Sequence, residues 1–332
     1  MQKTSLSAPS WCPLGVLPVE LWAEIFALSL SEDQFVTPNA SNPPILLGRV
    51  CTEWRNIAYN TPDLWKTLAL TSSDNVDHQS SVAGIETWLE SSYTYPLSIS
   101  LSIPQRSNAQ LHKIVNRLLR TAQRWRHLKI DVENDTLDQI LSTPMPSLYS
   151  IQLDCFNPLK KITISPFHLP SLRTISFFDP VCIDSRYILP WSQITDISSV
   201  GLANTETHMH RLRASPNLNS YDMTLFFADS PAMQEPFPLA GLKRLRIVAW
   251  VPDAIGSMLD NLVLPMLEEL IIEVAQQICP CEPPPFPLEA FRSLVERSEC
   301  LFQRLNVKNL RLPSELTCEF QNAHPSLKIS VQ

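Results

Sequence analysis

The sequence predicts an α/β protein: a small helical segment at the N-terminal end, followed by a curved solenoid with a parallel sheet. Three observations carry this expectation. Before Leu70, apolar residues recur at the helical period of about 3.6. Beyond residue 84, period-two alternation appears in short runs. From Trp125 onward, a phrase of apolar, two others, apolar, one other, apolar returns every 22 to 25 residues, the spacing of stacked repeats.

Composition bounds the function. The chain has 332 residues, 44% hydrophobic and 18% charged, ample for a packed core and room for one large domain or two. Its net charge of −7 argues against a nucleic-acid binder, which carries a basic footprint. The opening MQKTSLSAPSWCPLG holds one Lys and no continuous apolar run, unlike a secretory signal. No apolar run is long enough to span a bilayer. The expectation is a soluble protein of the cytoplasm or nucleus that binds neither nucleic acid nor membrane. Its eight cysteines are then reduced thiols, mostly small buried hydrophobes. There are 29 prolines but only 6 glycines, no two closer than 15 positions. A phosphate-cradling loop needs glycines a few residues apart, so Rossmann and P-loop functions are excluded.

The first element is LPVELWAEIF, Leu17 to Phe26, a helix with Pro18 in its first turn, where the missing N–H costs nothing. Leu17, Val19, Leu21, Trp22, Ile25 and Phe26 cover more than half of its wheel, and Leu28 and Leu30 continue them. Only Glu20 and Glu24 make a clear polar stripe. A surface helix carries a narrower apolar face, so the surplus packs either inside this chain or against a partner. SEDQFVTPNASNPP, residues 31 to 44, has the composition of a loop. A second amphipathic helix is expected from Leu46, with Leu47, Val50, Cys51, Trp54, Ile57 and Ala58 on one side. It stops before Pro62, which disfavours a helical Thr61. A short segment runs to Leu70, and residues 71 to 83 read as a polar linker.

From Gly84 come a short helix (GIETWLESS), a half-buried strand over Pro96 to Ile103, and a helix over residues 111 to 127. Lys113, Arg117, Arg120 and Arg124 line one side of that helix, either a solvated face or a contact for an acidic partner. The recurring phrase then reads Trp125/Leu128/Ile130, Leu148/Ile151/Leu153 and Leu172/Ile175/Phe177. Weaker copies follow at Ile194/Ile197/Ser199 and Leu218/Tyr221/Met223. Leu242/Leu245/Ile247 and Leu267/Leu270/Ile272 restore it, and Phe302/Leu305/Val307 comes after a proline-rich insertion at 279 to 287. This pattern resembles leucine-rich repeats in a degenerate form that lacks the usual Asn. A doubly wound sheet is the alternative, but its units are longer and its strands are near-continuous apolar runs. The proline load fits connections made of turns or extended segments.

Residues 16 to 70 resemble an F-box. Leu17-Pro18, Glu20-Leu21, Ile25-Phe26, Arg49-Val50-Cys51, Trp54-Arg55 and Pro62-Asp63-Leu64-Trp65 match, in order, the family pattern LPxEL, IF, VCxxWR and PxLW. The loop 31 to 44 is longer than in compact members. The layout, with WLESSYTYPLSISLSI and RTAQRWRHLKI, is also similar to the large F-box families of mushroom-forming fungi. The resemblance implies residues 1–15 as a flexible N-terminus, 16–70 as F-box, 71–83 as linker and 84–332 as a leucine-rich-repeat-like solenoid. It implies docking on the Skp adaptor and, through it, a cullin of an SCF-type ubiquitin ligase, with a target protein on the repeats. Leu17, Pro18, Leu21, Ile25 and Phe26 would meet the adaptor or order the first helix. Val50, Trp54, Leu64 and Trp65 would divide between the module's core and the adaptor surface. A non-ligase adaptor or scaffold using the same repeats is the alternative.

Catalytic chemistry finds little support. There is no GxSxG elbow and no HExxH helix. His208 and His210 fall in a weak repeat and are expected on a solvated connection. Cys279 and Cys281 form CxC without a second pair at zinc spacing. No catalytic residue, cofactor or metal is expected. The open face of the sheet is the expected target site, with Phe178, Arg244, Arg246, Glu269 and Glu273 pointing out of it. Mutual pairing of the two arginines with the two glutamates across strands is the alternative reading.

Overall fold

The computed structural model describes residues 17–30, 35–71, 79–103, 109–154, 162–179, 187–201, 203–227, 235–275, 282–300, 303–313 and 327–331. The expected flexible N-terminus, Phe302 and the CxC cysteines lie outside these residues. The chain is α/β and forms two compact units, one of residues 1–102 with 108–125, the other of 103–107 with 126–332. Residues on both sides of the expected 71–83 linker therefore belong to the first unit.

In the first unit α1 spans Val19–Leu28, with Pro18 just before it. The expected second helix is split. Leu47–Arg49 make a single 3-10 turn and α2 begins only at Thr52. Cys51 is extended between them, and its sulfur accepts the Trp54 N–H at 3.4 Å as a helix cap. A cap residue cannot itself be helical, so the continuous wheel through Leu46 and Val50 fails there. Arg55 Nε donates to the Gly48 carbonyl at 2.7 Å and ties the 3-10 turn to α2. Pro62–Trp65 form another 3-10 turn, followed by β1 (Thr67–Thr71), α3 (Gln79–Ser91), β2 (Leu97–Ile103) and α4 (Ala109–Leu119). β1 and β2 are parallel, Thr67 opposite Ser98. The helix expected over 111–127 is shorter: Arg124 turns away, donating to the Ser92 hydroxyl at 2.7 Å and the Tyr95 carbonyl at 3.0 Å.

The second unit holds a parallel sheet whose strands follow in chain order. They are β3 (Trp125–Val132), then α5 (Asn134–Leu141), β4 (Ser150–Leu153), β5 (Ile162–Thr163), β6 (Thr174–Asp179) and β7 (Tyr187–Ile188). Next come β8 (Asp196–Gly201), α6 (Thr205–Ala214), β9 (Ser220–Leu225), β10 (Phe237–Pro238) and β11 (Arg244–Ala249). Then follow α7 (Asp253–Asp260), β12 (Leu262–Val263), β13 (Glu269–Val274), α8 (Leu288–Ser298), β14 (Arg304–Lys308) and β15 (Lys328–Val331). The sheet order is β3-β4-β6-β8-β9-β11-β13-β14-β15, and β5-β7 and β10-β12 make small parallel ladders in the connections. Connections are thus helices in some repeats and extended segments in others.

The register explains the repeating phrase. Leu128, Ile151, Ile175, Ile197, Tyr221, Leu245, Leu270 and Leu305 stand side by side across the sheet. Ile130, Leu153, Phe177, Ser199, Met223, Ile247, Ile272 and Val307 make the next row. Both rows are buried, as are the leading members from Trp125 to Leu267. Identical positions stack because each repeat adds one strand, and alternate residues face opposite sides.

Candidate functional site

The α1 surface comes first. Its inward stripe carries Phe26, 1% exposed, whose ring lies 4.8 Å from that of Trp54, with Trp22 5.6 Å from Trp54. About 120° round the helix, Leu21, Ile25 and Leu28 recur at i, i+4 and i+7, one stripe. They are 42%, 43% and 86% exposed. Pro18 extends this stripe and is exposed, Val19 is exposed beside it, and Leu17 is half-buried. Leu46 and Val50, at either end of the 3-10 turn, are exposed as well. No neighbouring element among the described residues covers them.

The expected adaptor set therefore divides. Pro18, Leu21, Ile25 and Val50 lie at the surface, with Leu17 and Trp54 half-buried. Phe26, Leu64 and Trp65, expected among the adaptor contacts but also allowed an internal role, are buried and fall on the core side of that division. The Trp65 indole N–H donates to the Ala58 carbonyl at 2.8 Å, and its ring sits 4.9 Å from Tyr59 and 5.0 Å from Trp88. Within the first unit Phe26, Leu64 and Trp65 are packed inside, while Pro18, Leu21, Ile25 and Val50 stay outside.

The basic stripe is dispersed. Arg117 pairs with Glu86 at 2.8 Å, Arg124 serves as a strap on the 92–95 turn, and Lys113 and Arg120 are exposed.

The second surface is the open face of the sheet in the second unit. Arg244 lies opposite Glu269 in register, Nε to Oε2 3.4 Å, and Arg304 reaches the other oxygen of Glu269 at 3.4 Å. The Asn306 amide also donates to Glu269, at 3.3 Å. Arg246 bonds diagonally to Glu273, Nη2 to Oε2 2.9 Å. The two arginines and two glutamates do satisfy each other across strands, while keeping further donors outward. Phe178, on β6, is exposed but stands three strands from β11, about 14 Å at normal strand spacing. It does not belong to the charged group. Asp222, between them on β9, has one carboxylate oxygen shut from solvent without a hydrogen-bond partner. Burial raises its pKa, against the pull of Arg244 and Arg246.

Sequence reasoning missed a buried polar cluster beneath α6. His208, expected on a solvated connection, is fully buried. Its Nε2 faces the Thr224 carbonyl at 3.1 Å and its Nδ1 the Tyr221 hydroxyl at 2.7 Å. A carbonyl only accepts, so Nε2 carries the proton and Nδ1 accepts from Tyr221. Burial, then the charge of Arg211, push its pKa down to about 3, with the bond to Thr224 opposing. Arg211, also buried, donates Nη1 to the Ser199 hydroxyl at 2.6 Å and lies 4.5 Å above the Phe177 ring. Ser199 and Tyr221 are the two polar departures in the weak repeats. The signal was therefore in the sequence: a repeat loses its apolar residue where a polar side chain from the connection enters the core.

Among the described residues there is no group of His, Cys, Asp and Glu arranged to hold a metal, and no helix long and apolar enough to cross a membrane. The sequence matches no known family model and no curated protein.

Proposed function

We propose that this chain is a non-catalytic, substrate-recruiting subunit of an SCF-type ubiquitin ligase. Its first unit acts as an F-box that docks on the Skp adaptor and through it a cullin. Its degenerate leucine-rich repeats hold a target protein, and ubiquitin transfer is accelerated by proximity. The observation that carries the reading is the double-faced α1: one stripe packs on Trp54, and Leu21, Ile25 and Leu28 stand outside. Fully burying such a side chain brings about 1.5–3 kcal/mol, part of which offsets the cost of association. A contiguous exposed apolar stripe of this kind marks a partner site.

The test uses the tagged full-length chain with purified Skp adaptor and cullin. Leu21→Glu with Ile25→Glu should leave the thermal transition within a few degrees, because both side chains are already half in water. The same pair should abolish adaptor recovery. Undiminished recovery of the adaptor by this variant would refute the docking surface. Recovery of adaptor without cullin from the native chain would refute the ligase role.

A further inference from the structure

We propose that the end of the open face built by β11, β13, β14 and β15 seats an acidic, carboxylate-rich segment of a partner protein. This rests on the reading of the repeats as a target-binding region and names the class of target segment. The face is divided by charge. Across β6, β8 and β9 its outward positions include Asp196 and Asp222 and neither Lys nor Arg, and at the far end Lys129 of β3 is paired with Asp154 at 3.1 Å. Across β11 to β15 they include Arg244, Arg246, Arg304, Lys308 and Lys328 against Glu269 and Glu273, five cations to two anions. A local excess of +3 (5 − 2) thus stands on a chain whose net charge is −7.

The two glutamates do not exhaust these donors. Arg244 and Arg304 share Glu269, and Arg246 uses one nitrogen on Glu273. A guanidinium has five N–H groups, and the side chains of Arg244, Arg246 and Arg304 are 45%, 38% and 54% exposed, which leaves donors for a partner. Lys308 and Lys328 make no ion pair with a described residue. A recess of ≈ 360 Å³ opens among these groups, with Arg244 and Arg246 on one strand, Asn306 and Lys308 on another, and Ile271 between. A glutamate entering there rests its methylenes on Ile271 and presents its carboxylate to Arg246 and Lys308, a charge-assisted contact. Field and shape agree on a short acidic cluster. A long polyanion such as nucleic acid would run across the sheet onto Asp222 and Asp196, where it is repelled.

The probe is a fluorescent hexaglutamate peptide with Gly-Ser flanks, titrated by anisotropy into the full-length chain at about 50 mM salt and again at about 500 mM, where surface attraction is screened. It should bind at low salt more tightly than a hexalysine or a Gly-Ser peptide of equal length. Lys308→Glu with Lys328→Glu turns the local excess from +3 to −1 (3 − 4) and should weaken binding about tenfold or more. Lys113→Glu with Arg120→Glu makes the same change of total charge on α4 and should leave binding within about twofold. Should the Lys308/Lys328 variant lose its native circular dichroism, Lys308→Gln with Lys328→Gln removes the two charges more gently. Equal weakening by both charge-reversed pairs, or no preference for hexaglutamate over Gly-Ser, overturns the site. A preference above about tenfold for a phosphoserine peptide over hexaglutamate overturns the carboxylate class. The peptide titration needs no adaptor, so loss of adaptor docking and loss of this site are read separately.

Discussion

Acid should weaken this fold in part through His208. The perturbation is His208→Gln, compared with the native chain by urea unfolding at pH 7 and pH 5. The folded imidazole has its pKa pushed from 6.5 down to about 3, so the unfolded chain binds the proton preferentially. Stability from this group is fully present above about pH 6.5 and is lost as pH falls through the interval toward 3. Between pH 7 and pH 5 the loss is about 2 kcal/mol. A glutamine amide can donate to the Thr224 carbonyl and accept from Tyr221 but does not titrate, so the variant lacks this slope. The native advantage over the variant should therefore shrink by about 2 kcal/mol between the two pH values. Other titrating groups are common to both proteins and cancel in the difference. An advantage independent of pH would show that His208 titrates alike in both states, and the buried neutral imidazole would be wrong.

Other expectations follow from the same packing. Phe26→Ala should cost about 3–5 kcal/mol in urea unfolding, because its ring lies against Trp54, whereas Leu28→Ala, on a side chain 86% exposed, should change stability by less than about 0.5 kcal/mol. Arg211→Ala should destabilise by about 3 kcal/mol, since it empties the space over Phe177 and leaves the Ser199 hydroxyl without this donor. A double-mutant cycle of Arg246→Ala and Glu273→Ala should give a coupling of about 1 kcal/mol or less that falls with added salt, as befits a partly exposed pair. A coupling that persists in high salt would place the pair in a drier site than the open face.

How much was legible beforehand varies along the chain. The rows of the sheet were, because the phrase Leu148/Ile151/Leu153 and its copies repeat with the strand and its register. The outward arginines and glutamates were legible for the same reason, and so was the possibility that they pair. The break at Cys51 was not: a helical wheel contains no information on whether a thiol will cap the turn. Nor was the burial of His208 and Arg211, since α6 read alone looks like a polar helix, and only Ser199 and Tyr221 on other strands make room for them.

The sequence by itself determined the class of fold, the repeat register and the supply of apolar residues on α1, since these follow from local periodicity. Tertiary structure alone decided which of those apolar residues are spent inside. Phe26 and Trp65 meet other rings within the first unit and Leu64 is buried there, while Leu21, Ile25 and Val50 remain exposed. The physical reason is that burial depends on which surfaces close over a residue, and those surfaces come from segments far apart in the chain.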